Sequence, residues 1–377
     1  MVRAKRFPTG PVFKHLDVRV VASSWPRATP PPALAALNGP AVVNVLDVLN
    51  EVANLTAPPV GYGFTTAETW AWLRYFPAID SGPELRLRTE WSDLDPHQKT
   101  ILSDDWGMGL PIHLLRQPLQ IKTIASTHYV LKQLAPKFPP IQAYLKRTAR
   151  RGPAKSPDFI AIDNFGKVHV IECKGTQSKI ATLANQLADG AHQKDKIVFK
   201  NIQAGERLVV GLFLPQAWSV EHPLAEITDP QEGEPVLVEA DLEAVREVVL
   251  RGELASALHA ARLPTLGNLI ALNERHLIQN NLAVRREIDS LSRYQDQGSI
   301  RHALRQDFSW SLGREDGRES HHAQLEVGIA DAVLEALMNP DGDLTSLFLE
   351  REPRRMASGS ALTSESALGF YFSVRVE

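Results

Sequence analysis

Cysteine is nearly absent from this chain: Cys173 stands alone among 377 residues. One thiol excludes a disulfide framework and any zinc cluster built on cysteines. A lone thiol suits a reducing interior, so a cytoplasmic setting is expected. Long apolar runs are missing too. No stretch approaches the ~20 residues needed to cross a bilayer. The start, MVRAKRFPTGPVFKHLD, lacks the apolar segment of a secretion signal. No membrane partner is therefore expected. Nor does charge of one sign dominate, because 41 Lys+Arg face 44 Asp+Glu, which excludes a uniformly basic protein. There is no G-x-x-x-x-G-K-[ST] loop, so the chain is not itself a P-loop ATPase or helicase, and no G-x-S-x-G elbow. What remains is an ordinary globular composition, 44% hydrophobic and 23% charged. The length is enough for two or three domains at roughly 150 residues each.

Along the chain, LDVRVVASSW (16–25) has strand character and PRATPPP (26–32) reads as a stiff connector. PALAALNGPAVVNVLDVLNEVANL (32–55) is a broken helical pattern, and TTAETWAWLRYF (65–76) a short amphipathic helix. WSDLDPHQKTILSDDWGMGLP (91–111) is polar and turn-rich. Residues 1–115 are expected to form an N-terminal α+β domain. In the middle, PLQIKTIASTHYVLKQLAPKF (118–138) and IQAYLKRTARR (141–151) read as helices. DFIAID (158–163) and KVHVIECKG (167–175) read as strands around an Asn164–Gly166 turn. SKIATLANQLADGAHQKDKI (178–197) is a helix with one apolar face, and RLVVGLFLP (207–215) a strand buried on both faces. PVLVEAD (235–241) is a further strand candidate. Residues 116–240 are thus expected to be an α/β core with a mixed sheet. Residues 241–377 read as a mainly helical domain, through 241–263, 267–291 and 321–338, with a closing strand at 369–377.

Charge is concentrated. From Lys132 to Lys200 there are 13 Lys+Arg against 5 Asp+Glu, although the whole chain is acidic by 3 charges. A basic segment within an acidic chain points to a polyanionic partner. Within it lies SPDFIAIDNFGKVHVIECKGTQSK. Asp158 opens the first strand, and Glu172 and Lys174 lie near the end of the second. Residues two apart on a strand share a face, so Glu172 and Lys174 project together and Cys173 projects the other way. A hairpin then brings Asp158 beside them. Two carboxylates at the end of apolar strands repel unless a cation sits between them. Oxygen ligands from two carboxylates, a backbone carbonyl and water suit Mg²⁺, with Mn²⁺ as a substitute. Such an ion activates water and stabilises phosphate charge, and an ammonium beside it orients the attacking water or neutralises developing charge.

P-D, an apolar strand, a turn and E-x-K at the end of the next strand resemble the PD-(D/E)XK nuclease superfamily, the restriction-endonuclease-like fold. The resemblance covers a quarter to a third of the chain. It implies a metal-dependent endonuclease hydrolysing DNA phosphodiester bonds, in restriction or antiviral defence. It implies Asp158 and Glu172 as metal ligands, the carbonyl of Cys173 as a third, and Lys174 as the catalytic lysine. Gln186 matches a glutamine that some members carry in the following helix; as a solvated helix position it is equally explained. Members often carry an acidic residue in the first core helix, and 118–138 has none. The implied order is αβββαβ, but only two strands are legible before the second helix. Arg150, Arg151 and Lys155 before the motif, and Lys179 and Lys194 after it, are expected to hold nucleic-acid phosphates, as are their neighbours Lys146, Arg147 and Lys196.

Other signals are weaker. His321-His322 lacks partners at metal spacing, NPDGD (339–343) has the wrong spacing for calcium, and GYGF (61–64) and GMGLP (107–111) read as turns. Alternatives to a DNA nuclease are an RNA-cleaving enzyme of the same fold and an inactive nucleic-acid-binding scaffold. A homo-oligomer is expected. A partner subunit supplying recognition or ATPase function is a further possibility, since the chain has no motor motif.

Overall fold

The computed structural model describes residues 12–25, 28–61, 74–149, 156–194, 197–200, 202–230, 236–296, 299–314, 317–339, 342–344, 354–358, 361–366 and 368–376. The chain opens with β1 (Phe13–Val20), α1 (Pro32–Ala35), β2 (Gly39–Asn44) and α2 (Val45–Thr56). Next come α3 (Pro96–Arg116), β3 (Ile121–Ser126), α4 (Thr127–Leu134) and α5 (Pro139–Ala149). The middle holds β4 (Phe159–Asp163), β5 (Val168–Thr176), α6 (Ile180–Lys194), β6 (Ile197–Lys200), β7 (Ala204–Phe213), β8 (Leu224–Thr228) and β9 (Val236–Glu239). Then follow α7 (Leu242–Ala260), α8 (Pro264–Ala271), α9 (Leu282–Asp289), β10 (Ser292–Asp296), β11 (Ser299–Arg314), β12 (Gly317–Ala330), α10 (Asp331–Met338), β13 (Arg354–Ser358), β14 (Ala361–Glu365) and β15 (Phe370–Val376).

The centre is a mixed seven-stranded sheet in the order β2-β1-β8-β7-β5-β4-β3. All five residues of β4 are buried, as are most of β5, which is why both read as continuous apolar runs. Successive side chains of β5 and β7 alternate between two cores. Ile171, Cys173, Leu208 and Val210 pack with Leu102 and Trp106 of α3. Val209 and Phe213 pack with Leu183 and Leu187 of α6 on the other face. The expected α/β class with a mixed sheet is therefore present.

The segment read as polar and turn-rich, 91–111, instead supplies most of α3, a helix of 21 residues. Asp95 caps it, accepting hydrogen bonds from the amides of His97 (2.9 Å) and Gln98 (3.2 Å), and Pro96 opens its first turn. The misleading residues are Gly107, Gly109 and Pro111, which each lower helix propensity. The glycines are there for contact. A Cβ on Gly107 would lie 2.6 Å from the Cα of Gly175, and one on Gly109 would lie 2.3 Å from Cγ2 of Val52. Burial of Leu102, Trp106, Leu110 and Leu115 stabilises the helix beyond its local preference.

The segment 118–138, read as one helix, is a strand followed directly by a helix. β3 pairs antiparallel with β4, from Ile121↔Asp163 to Ser126↔Phe159. No turn residue marks the junction at Ser126, so the helical pattern of 127–134 is easily extended backwards. Three strands, β3, β4 and β5, therefore precede α6.

The boundary expected at residue 115 does not divide the sheet. β1 runs parallel to β8, with Asp17 opposite Leu224, and α3 lies on β5. Pairing between strands two hundred residues apart leaves no local signature. Most of the expected helix at 65–76 lies outside the described residues.

The C-terminal part is not mainly helical. β10–β15 form a six-stranded sheet in the order β10-β11-β12-β15-β14-β13. β11 and β12 make a long hairpin from Arg301↔Ala330 to Arg314↔Gly317. The stretch 321–338 is strand as far as Ala330, and helix only from Asp331. The stretch 267–291 is broken at Asn273, whose φ is 62°, and restarted by Asn281 as cap of α9. α7 does span the expected residues, capped by Asp241 through the amide of Ala244 at 2.7 Å.

Candidate active site

β5 runs antiparallel to β4 and parallel to β7. The start of β4, the end of β5 and the end of β7 therefore share one edge of the sheet. The charged residues of the P-D…E-x-K pattern meet there. Asp158 precedes the Phe159↔Ile171 pair, which places it opposite Glu172. Its Oδ2 accepts a hydrogen bond from the amide of Cys173 at 2.8 Å. In a strand the N–H and C=O of one residue point to the same side. The Cys173 carbonyl is thus directed to the edge where the Asp158 carboxylate lies. The Cys173 thiol is buried among apolar side chains, and burial pushes its pKa well up, so it is not a nucleophile.

Glu172 is fully buried. Its Oε1 pairs with the Lys174 ammonium, and its Oε2 is buried without a partner. Both side chains face α6 across Gly190. A Cβ on Gly190 would stand 3.3 Å from Cγ of Glu172 and 3.4 Å from Cε of Lys174. Gln186 lies one turn earlier on the same helical face, and its Oε1 is a second buried acceptor without a partner. On the opposite face of the sheet, Gly175 lets α3 close on β5. A Cβ there would lie 1.8 Å from the Ser103 carbonyl oxygen.

That close approach delivers Asp104, which the sequence reading did not select. Asp104 is exposed and near enough to Asp158 and Lys174 to feel their charges. Partial burial raises its pKa, as do the charges of Asp105 and Asp158, against the pull of Lys174. Asp105 behind it is raised by burial and accepts a hydrogen bond from the Tyr75 hydroxyl. The spacing of Leu102, Trp106 and Leu110 was the available signal. It marks one buried helical stripe, with the acidic pair off it.

The electrostatics are those of an over-anionic cluster. Burial raises the Asp158 carboxyl, with the Cys173 amide and Lys174 opposing. Burial and the neighbouring Asp158 charge push Glu172 up to about 8, although Lys174 and the Asp158 backbone amide pull the other way. Lys174 loses solvation by burial, but Glu172 and Asp158 more than restore its charge and raise it. Three acidic groups thus share one ammonium. Among the described residues no three His, Cys, Asp or Glu side chains are placed to hold a metal unaided. A cation here would need the carbonyl and water beside the carboxylates, which is the donor set that Mg²⁺ takes. The unpartnered Oε2 of Glu172 fits such an ion.

The expected phosphate contacts fare unevenly. Lys179 is exposed just beyond β5, at the edge that carries the site. Lys194 is not a surface residue: it is fully buried and its Nζ lies 2.5 Å from Oδ1 of Asp229. The apolar packing of α6 turns its last residue inward, so it cannot reach a phosphate. Arg150, Arg151 and Lys155 lie outside the described residues, as does Lys196. Comparison with protein-family models, curated proteins and solved structures finds no match for this chain.

Proposed function

We propose that this chain is a metal-dependent endonuclease that hydrolyses phosphodiester bonds of DNA. The observation that carries this reading is Glu172. It is a fully buried carboxylate with one oxygen on Lys174 and the other without a partner, opposite Asp158 at the sheet edge. A purely structural ion pair would satisfy both oxygens or leave them in water. The element order α3-β3-α4-α5-β4-β5-α6-β6-β7 supports the resemblance to the PD-(D/E)XK nucleases in that β3 supplies a third strand paired with β4, although two helices stand between β3 and β4 and the short β6 lies outside the central sheet. Asp104 supplies an acidic residue from the helix that precedes these strands.

In this reading Asp158, Glu172 and the Cys173 carbonyl hold Mg²⁺ or Mn²⁺. The bound ion supplies a Lewis acid for the phosphate oxygen and lowers the pKa of water. Lys174 Nζ orients the attacking water and neutralises charge growing on the phosphate. Glu172 fixes Lys174 through Oε1 and keeps it protonated. A water oxygen–phosphorus bond forms, a phosphorus–sugar oxygen bond breaks, and the proton lost by water balances the one gained by the leaving alkoxide. Gln186 donates its amide to water or phosphate from the α6 side. Lys179 holds backbone phosphate beyond β5.

The test is nicking and linearisation of supercoiled plasmid in Mg²⁺, Mn²⁺ and EDTA, with wild type beside Asp158→Asn. Cleavage that needs metal and is lost in the variant supports the reading. Cleavage that survives Asp158→Asn moves the site elsewhere. Binding to DNA with no cleavage under any metal favours an inactive scaffold.

A further inference from the structure

One loop at the sheet edge that carries Lys174 is built to present apolar surface. Residues 214–223 link β7 to β8. Because β7 is parallel to β5, this loop leaves the sheet beside the end of β5. Gln216 ties the two together: its Nε2 donates to Oε1 of Gln177 at 2.8 Å, three residues beyond Lys174. Gln177 in turn donates to the Lys99 carbonyl at 2.8 Å, which joins the loop to α3.

The loop is heavily braced. The Leu87 amide donates to the Pro215 carbonyl at 2.8 Å, and the Ala217 amide to the Leu87 carbonyl at 2.7 Å. Arg86 donates to the carbonyls of Gln216 (3.2 Å) and Ser219 (2.8 Å). Arg86 is itself held by Glu84 at 2.5 Å, which also meets His222 at 2.9 Å. On this frame Trp218 is 67% exposed and Val220 is 93% exposed. Phe165 is equally exposed, but it sits in the β4–β5 turn at the far edge. A tryptophan left in water on a fixed loop adds nothing to the core, and its exposure costs solvation free energy. Large, rigid and flat, it is suited to a planar partner.

We propose that Trp218, with Val220 beside it, is a base-stacking wedge. It packs against a nucleobase of the DNA as the strand crosses the Asp158–Lys174 edge, and so positions the scissile phosphate. The proposal rests on the nuclease reading, because that reading places DNA at this edge. Lys179 holds backbone and carries no base information, whereas Trp218 meets the base itself. An apolar side chain seated at a base step partly unstacks it and kinks the duplex there.

The test uses the full chain and a DNA duplex with 2-aminopurine placed at successive positions around the cleaved bond. Wild type, Trp218→Ala, Trp218→Phe and Val220→Ser are compared for kcat, KM and fluorescence. Trp218→Ala is expected to raise KM about tenfold to a hundredfold. Trp218→Phe restores most of it. The 2-aminopurine signal near the cut changes with Trp218 and not with Ala. Melting temperature and metal-dependent stabilisation stay as in wild type, since the side chain is exposed. If wild type cleaves and Trp218→Ala matches it in KM and in fluorescence, the wedge is wrong and the nuclease reading stands. A variant that only melts earlier also overturns the wedge. If wild type neither binds nor cleaves DNA, the nuclease reading fails and the wedge falls with it.

Discussion

Replacing Glu172 by glutamine should stabilise the metal-free protein near neutral pH. The carboxyl titrates at about 8 in the fold against 4.5 for an ordinary glutamate. The folded state therefore binds this proton more tightly than the unfolded chain does. Stability is full below about pH 4.5 and falls as pH rises toward 8. One pH unit corresponds to about 1.4 kcal/mol, so at pH 7.5 the ionised group costs about 4 kcal/mol, with the pull of Lys174 already included. Glutamine keeps the shape and cannot ionise. In EDTA at pH 7.5, Glu172→Gln should melt about 5 °C above wild type, on a scale of one to two degrees per kcal/mol for a chain this long. At pH 5 the two should nearly coincide. Metal narrows the gap. Wild type gains stability as RT ln(1 + [M]/Kd), about 1.4 kcal/mol at ten times Kd and about 4 at a thousand times Kd, so the order reverses only beyond that excess, and the gain grows with pH as protons stop competing. The variant gains almost nothing. Thermal melts from pH 5 to 8, in EDTA and in Mn²⁺, read all four outcomes. A variant that melts below wild type at pH 7.5 in EDTA would refute the reasoning, because Glu172 would then be a satisfied half of an ion pair.

Other perturbations follow from the packing. Gly175→Ala should destabilise the fold by about 3 kcal/mol in a denaturant melt, because a Cβ 1.8 Å from the Ser103 carbonyl forces α3 off β5. Gly190→Ala gains helix propensity of about 1 kcal/mol, but its Cβ meets Val209 Cγ1 at 2.6 Å and crowds Glu172 and Lys174; it should cut metal affinity in a Mn²⁺ titration more than it changes stability. Asp104→Asn should leave the fold intact and weaken metal binding about tenfold, the scale of outer contacts to a metal site. Lys194→Met removes one charge of a buried ion pair and should cost about 3–5 kcal/mol, while DNA affinity of the folded protein, measured at low temperature, stays unchanged.

The candidate cluster was legible because its signal is local. Asp158 directly precedes one clean strand and Glu172 and Lys174 lie on the next, with four residues joining the two, and the structure brings them to one edge. What the sequence hid was non-local. α3 was masked by Gly107, Gly109 and Pro111, whose purpose shows only when Gly175 and Val52 lie against the helix. With α3 unseen, Asp104 was unseen as well. β3 was lost because strand and helix abut at Ser126 without a turn. Lys194 was misplaced because surface charge is the usual fate of lysine, and only Asp229, 35 residues away, reveals the buried pair. In the C-terminal part, 321–330 was read as helix because it runs without a break into the helical pattern from Asp331, although Phe308, Trp310 and Leu312 alternate with polar residues as a strand requires.

The most direct measurement is single-turnover cleavage of a labelled DNA duplex by Lys174→Met, paired with Mn²⁺ and DNA titrations of the same preparation. Asp158, Glu172 and the Cys173 carbonyl remain in this variant, so it should bind metal and duplex but fail to cleave. Cleavage at the wild-type rate would contradict the assignment of Lys174 and, with it, the hydrolytic site at the end of β5.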